Sequence, residues 1–201
     1  ARRLDERRLC GPAALAPDLV LGHVPERRGA EGAGEEGTGG QGAKTANIGY
    51  AAIDINATGA YFENTLVENS TTVGLRMYLV DSSTTFNNLT IRNSGDPGQG
   101  AHEAGLAISS SFFAPLFDTL EITGSVGPGI HASSGGSMTG SDWILENNTG
   151  DGLFIDSSTI YTSGIDTAYN GQSGIHVYDS RYVVLGDVHS RFDGQLGLTN
   201  S

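Results

Sequence analysis

The sequence predicts an all-β fold, a parallel β-helix solenoid of about six turns, and three observations carry that prediction. Glycine followed by Leu or Ile recurs at Gly74, Gly105, Gly129, Gly152, Gly174 and Gly197, in steps of 31, 24, 23, 22 and 23 residues. After each glycine the aliphatic residues alternate with other types, as they do on a strand with one buried face. Asp, Ser and Asn recur between the apolar stretches where turns are needed, and helical periodicity is nearly absent. A repeat in the low twenties cannot bury its own apolar side and must stack on its neighbours, which makes a solenoid.

Residues 1–44 precede the repeats and are a different material. They hold seven of the eleven Lys and Arg residues, seven of the 23 Asp and Glu residues and nine of the thirty glycines. The segment "GAEGAGEEGTGGQGAK" is too rich in glycine for helix or strand, so residues 1–44 are expected to be a flexible arm or linker. The repeat domain, residues 45–201, then carries four Arg, no Lys and sixteen acids, and so holds the whole net charge of -12. That excess repels phosphate backbones and anionic lipid, and points away from nucleic acid. No apolar run approaches the roughly 20 residues of a membrane span. Cys10 is the sole cysteine, so no disulfide forms within one chain.

Within each turn the first strand follows the glycine. Its inward residues are Leu75 and Met77, Leu106 and Ile108, Ile130 and Ala132, Leu153 and Ile155, and Ile175 and Val177. A fainter first copy starts at Gly49-Tyr50. A polar turn comes next, with Asp81, Asp156 and Asp179 each beside Ser, whose side chains bond the backbone two residues on. The second strand is clearest as Leu89 and Ile91, Leu120 and Ile122, and Trp143 and Leu145. It closes on Asn69, Asn93, Gly124, Asn147, Asn170 and Asp193, residue types that tolerate a left-handed backbone, and stacked Asn side chains can bond one another along the coil. Between Asn93 and Gly105 the turn swells to "SGDPGQGAHEA", an expected loop on one face. "VVLGDVHSRFDG" fits the repeat less well and its register could slip by one residue. Because the sequence stops early in a new turn, further repeats or domains of a longer chain are expected.

The phrases "FNNLTIRNS", "NNTGDGLFI" and "YNGQSGIHVYDS" resemble the repeats of right-handed parallel β-helix proteins of the pectin-lyase-like superfamily, over residues 45–201. The resemblance implies a right-handed coil and a secreted or cell-surface location. It also implies either a polysaccharide-active enzyme (lyase, hydrolase or epimerase) or a noncatalytic adhesin or stalk, with glycans lying along the first strand face.

With aliphatics inside, any site is built from outward columns. The first reads Arg76, Ala107, His131, Phe154, His176, and the second Tyr78, Ser109, Ser133, Asp156, Tyr178. Aromatic and hydrogen-bonding groups side by side suit sugar rings, with Tyr78, Phe154, Asp156 and Tyr178 as contacts. Arg76 is flanked in this alignment by Ala107 and Tyr50, not by acids. The long loop adds Asp96, His102 and Glu103. For an enzyme, the candidate catalytic residues are Arg76, His102, His131 and His176. A third group, Glu68, Arg92, Glu121 and Glu146, reads as solvated charge. Asp156 and Asp179, in adjacent turns, and Asp81 are conceivable Ca²⁺ ligands, but turn chemistry accounts for them without metal, and no cofactor is expected. The expected function is a module that binds polysaccharide or cell-surface glycan, or serves as a structural or adhesive scaffold.

Overall fold

The computed structural model describes residues 44–46, 51–56, 59–95, 104–111, 113–180 and 182–200, the backbone alone for 44–46 and 195–200. The strands in chain order are β1 (Lys44–Ala46), β2 (Ile53–Ile55), β3 (Tyr61–Glu68), β4 (Leu75–Tyr78), β5 (Thr85–Arg92), β6 (Leu106–Ser109), β7 (Leu116–Thr123) and β8 (Ile130–Ser133). They continue as β9 (Ser137–Glu146), β10 (Leu153–Asp156), β11 (Thr159–Thr162), β12 (Ile165–Ala168), β13 (Ser173–Tyr178), β14 (Tyr182–Leu185), β15 (Val188–Arg191) and β16 (Gln195–Asn200). The pairings are parallel, and they join equivalent strands of successive turns. The chain is therefore an all-β parallel solenoid of about six turns, with no helix among the described residues.

The first strands form one sheet in the order β16-β13-β10-β8-β6-β4-β2, and the longer strands form the other. Inward columns of the first sheet match those expected: Leu75, Met77, Leu106, Ile130, Ala132, Leu153 and Ile155 are fully buried, and Ile108, Ile175 and Val177 nearly so. Each Leu, Ile, Val or Met among them contributes about 1.5–3 kcal/mol by leaving water, and Ala132 less. The repeat glycines stand at the entry to these strands for want of space. A Cβ on Gly152 would lie 2.5 Å from the Gly174 carbonyl oxygen of the next turn, closer than any side chain tolerates.

The second sheet is richer than the sequence pattern suggests. Each long strand carries a residue with positive φ in its middle, Asn64, Asn88, Thr119 or Asp142, and bends there around a corner. In later turns the strand breaks at the same place, giving β11 and β12, then β14 and β15. A turn thus has three straight segments, and the middle one supplies core residues that the alternation of two did not reveal. Phe62, Phe86 and Phe117 stack on one another with centroids 4.7 and 4.8 Å apart. The next residue in that column is Gly140. Buried Trp143 fills its place, donating its indole N–H to the Phe117 carbonyl at 3.1 Å.

The corner leading back to the first sheet needs one correction. Its left-handed residues are Asn69, Asn93, Gly124, Asn147, Tyr169 and Phe192, not Asn170 and Asp193. Those two lie one residue further on, in an inner column with Asn148. Asn148 Nδ2 donates to Asn170 Oδ1 at 3.0 Å, and Asn170 Nδ2 donates to Asp193 Oδ1 and to the Leu145 carbonyl, both at 2.9 Å. The Asn ladder expected from the sequence exists, but inside the wall. On the exposed side this corner has one weak step, Asn93 Nδ2 to Asn69 Oδ1 at 3.4 Å, and the mid-strand corner a shorter one, Asn88 Nδ2 to Asn64 Oδ1 at 2.8 Å, among the described residues. Tyr169 and Phe192 instead stack outside, with centroids 5.1 Å apart.

The last repeat keeps register: Ile160 pairs with Val183, Thr162 with Leu185, and Ile165 with Val188. Val183 and Leu185 pack against the core, whereas all four residues of β15 are exposed.

Candidate functional site

The outward face of the first sheet is assembled by β2, β4, β6, β8, β10 and β13. Pairing registers place Asp54, Arg76, Ala107, His131, Phe154 and His176 in one column. A second column holds Tyr78, Ser109, Ser133, Asp156 and Tyr178. Both columns agree with the sequence alignment except at their start. The partner of Arg76 is Asp54, not Tyr50, because the first described turn begins at Ala52-Ile53, with Ala in the glycine position. The signal was present in "IDI" at Ile53–Ile55, which alternates like "LRM" at Leu75–Met77 and lies 22 residues before it. Arg76 Nε donates to Asp54 Oδ1 at 3.2 Å, and Nη2 is paired with Oδ2. The hydrogen bond to Asp54 raises the Arg76 pKa above its ordinary value, with burial opposing and the carboxylate's charge adding. This arginine is a fixed cation, already engaged.

Further along the column, His131 and Phe154 stack with centroids 5.0 Å apart, and Phe154 and His176 meet at 4.9 Å with the planes tilted by 41°. Rings in register on adjacent strands stand on edge, so their faces cover each other. Phe154 therefore offers no free face on which a sugar could lie. It and its neighbours form a ridge of three contacting rings along the column. Tyr78 and Tyr178 are about half exposed and make no ring contact among the described residues. Exposed aromatics also occur elsewhere, at Tyr61, Tyr161 and Tyr182, so aromatic exposure alone does not single out this face.

His176 has a neighbour the sequence reading passed over. Asp151 stands immediately before Gly152, in the column otherwise held by Val73, Ala104, Pro128 and Ser173. Its side chain is only 6% exposed, and its Oδ2 lies 3.4 Å from His176 Nδ1. Oδ1 accepts the Ser173 backbone N–H at 2.7 Å. An acid in a column of small or apolar residues was the available clue. Asp156, in the second column, accepts the Ser157 hydroxyl at 2.9 Å.

The remaining candidates are dispersed. Asp96, His102 and Glu103 of the long loop lie outside the described residues. Glu68 pairs with Arg92 in one column, Glu146 stands two turns beyond Arg92 in it, and Glu121 occupies a neighbouring one. Arg92 Nη2 approaches Glu121 Oε1 at 3.4 Å on an exposed face, a surface pair worth less than about 1 kcal/mol. The three aspartates of the polar turns fall in three different columns. Asp156 pairs with Tyr178, Asp179 follows that position, and Asp81 lies three residues past Tyr78, so Asp156 and Asp179 are not equivalent neighbours. Asp81 performs the turn chemistry expected, accepting the Ser83 backbone N–H at 2.9 Å. Among the described residues, no three His, Cys, Asp or Glu side chains group so as to hold a metal ion.

Comparison with known proteins returns no match to a family model, to a curated protein or to a solved structure.

Proposed function

We propose that this chain is a polysaccharide-binding or structural module of a secreted or cell-surface protein, with the outward face of the first sheet as its contact surface. The observation that carries this reading is the registered ridge His131, Phe154, His176 beside Asp156 and the half-exposed ring of Tyr178. Successive turns set these groups about 4.8 Å apart along a straight line, a spacing on which an extended polymer can make repeated contacts. Tyr178 supplies an apolar ring face for a sugar's C–H groups, and the imidazoles and Asp156 supply hydrogen-bonding partners for its hydroxyls. The resemblance of the repeats to right-handed β-helix proteins of the pectin-lyase-like superfamily supports the same reading, including the hand of the coil. The acidic repeat surface disfavours nucleic acid as the partner.

The test is glycan-array and calorimetric binding by the wild type and by Phe154→Ala with Tyr178→Ala. Loss of the stacking platform and the ridge should lower affinity about tenfold or more, since each aromatic contact is worth on the order of 1 kcal/mol. Glycan binding that survives both substitutions sinks the assignment to this face. A second reading, an enzyme acting on polysaccharide, is favoured by Asp151 standing behind His176 as an orienting carboxylate would behind a general base. Release of unsaturated products from polygalacturonate or polymannuronate would support it, and absence of turnover with and without Ca²⁺ removes it.

A further inference from the structure

We infer that Asp151 holds His176 in the tautomer with its proton on Nδ1, and that the acceptor cluster thus formed beside Phe154 selects neutral glycans over uronate-bearing ones. The inference rests on the glycan-contact reading above and adds the class of sugar. Asp151 is nearly buried, with one oxygen committed to the Ser173 N–H and the other 3.4 Å from His176 Nδ1. The approach is longer than an ordinary N–H to carboxylate hydrogen bond and acts through charge: a carboxylate, which accepts and does not donate when ionised, beside Nδ1 favours the tautomer with the proton on that nitrogen. Which ring nitrogen carries the proton is set by the partner of the other, and here that leaves Nε2 with a lone pair. Phe154 packs against the imidazole at 4.9 Å and holds its plane. Beyond Asp151 and Phe154, His176 has no partner among the described side chains, and its side chain is 29% exposed, which leaves the imidazole partly accessible to a ligand.

The neighbourhood has one chemical sense. Asp156 is a second acceptor, two residues beyond Phe154 on the same strand. Among the described outward residues of this sheet the sole fixed cation is Arg76, three turns from Phe154 and already bound to Asp54. Sugar hydroxyls can donate to Nε2 and to Asp156. A uronate carboxylate placed there meets Asp151 and Asp156 with no fixed cation beside them among the described residues, and such like-charge contacts are how a site rejects the wrong ligand.

Two measurements on the intact chain test this. Imidazole nitrogen NMR, with His176→Gln to identify the resonance, reads the tautomer directly. Titration calorimetry with cellohexaose, xylohexaose and mannohexaose, against hexamers of galacturonate and mannuronate, reads the preference. The expected result is an Nδ1–H tautomer and at least one neutral hexaose bound about tenfold or more tighter than either uronate. Asp151→Asn keeps an acceptor for Ser173 but turns a donor toward Nδ1, so the proton should move to Nε2 and the discrimination should fall severalfold with an unchanged urea midpoint. An imidazolium or Nε2–H form in the wild type overturns the inference, as does an Asp151→Asn variant with unaltered tautomer and preference. Equal or tighter uronate binding also overturns it while leaving the glycan-contact reading standing. Binding of none of the five hexamers overturns it at the ligand step, and the array result then decides whether the broader reading falls too.

Discussion

Replacing Asn170 tests the inner ladder with a one-atom change. Asn170 is 2% exposed. Its Oδ1 accepts the Asn148 backbone N–H at 3.1 Å and Asn148 Nδ2 at 3.0 Å, and its Nδ2 donates to Leu145 O and Asp193 Oδ1. Asn170→Ala removes all four bonds. At about 1 kcal/mol each, with Asn148 Nδ2 keeping a long contact to Ile122 O at 3.5 Å, the cost is about 3–4 kcal/mol. Asn170→Asp keeps the two bonds from Asn148 but aims an oxygen at Leu145 O and at the Asp193 carboxylate. Two lost bonds cost about 2 kcal/mol, and like charges near 4 Å at an effective dielectric of about 20 cost about 4 more. The near-isosteric acid should therefore be less stable than the alanine variant at neutral pH. The pH dependence has a definite sign. A neighbouring like charge raises a carboxyl pKa in the folded state above its unfolded value near 3.9, so the folded protein binds the extra proton. The excess penalty of Asp over Ala is then absent below the unfolded value, grows as pH rises toward the folded value, and is complete above it. Urea unfolding followed by emission of Trp143, the single tryptophan, reports on the adjoining turn. An Asp variant as stable as wild type, or one that gains nothing on Ala as pH falls, refutes the ladder as described.

Two further substitutions separate buried from exposed features. Gly140→Ala would place a Cβ 1.8 Å from the Phe117 carbonyl oxygen and 2.7 Å from Trp143 Nε1, and should cost more than about 3 kcal/mol with red-shifted tryptophan emission. Wild-type emission and midpoint would show that the indole does not fill that space. Arg76→Ala breaks a pair whose side chains are 54% and 37% exposed, so the urea midpoint should move by less than about 0.5 kcal/mol and the shift should shrink in salt. A loss of several kcal/mol would mean the Asp54–Arg76 pair anchors the first turn.

The coil was legible because its first sheet obeys a simple rule. Inward residues alternate, a glycine precedes them, and the period is short enough to see six times. The middle segment hid because a left-handed residue such as Asn88 sits between Phe86 and Leu89, both buried at a spacing of three, so neither a strand nor a helix period fits. Asn, Asp and Gly marked many corners, yet Tyr169 and Phe192 occupy the same backbone state while Asn170 and Asp193 beside them serve the ladder. Residue type proposes a left-handed site; the pairing register decides it. The functional face was only half visible for a related reason. Sequence alignment found the columns, but stacking distance and ring tilt decide whether an aromatic offers its face or its edge.

That distinction changes what the first face can do. An isolated exposed Phe would be a platform, but Phe154 lies between His131 and His176, within ring contact of both. Of the two tyrosines without a ring contact among the described residues, Tyr178 lies in the neighbouring column, adjacent to Asp156. Asp151 then reaches His176 from beneath the strand end, using a position that other turns give to small or apolar residues. A solenoid repeats its core at every turn, and so its chemistry must come from departures from the repeat. On this face two of those departures, Asp151 and Phe154, converge on one imidazole.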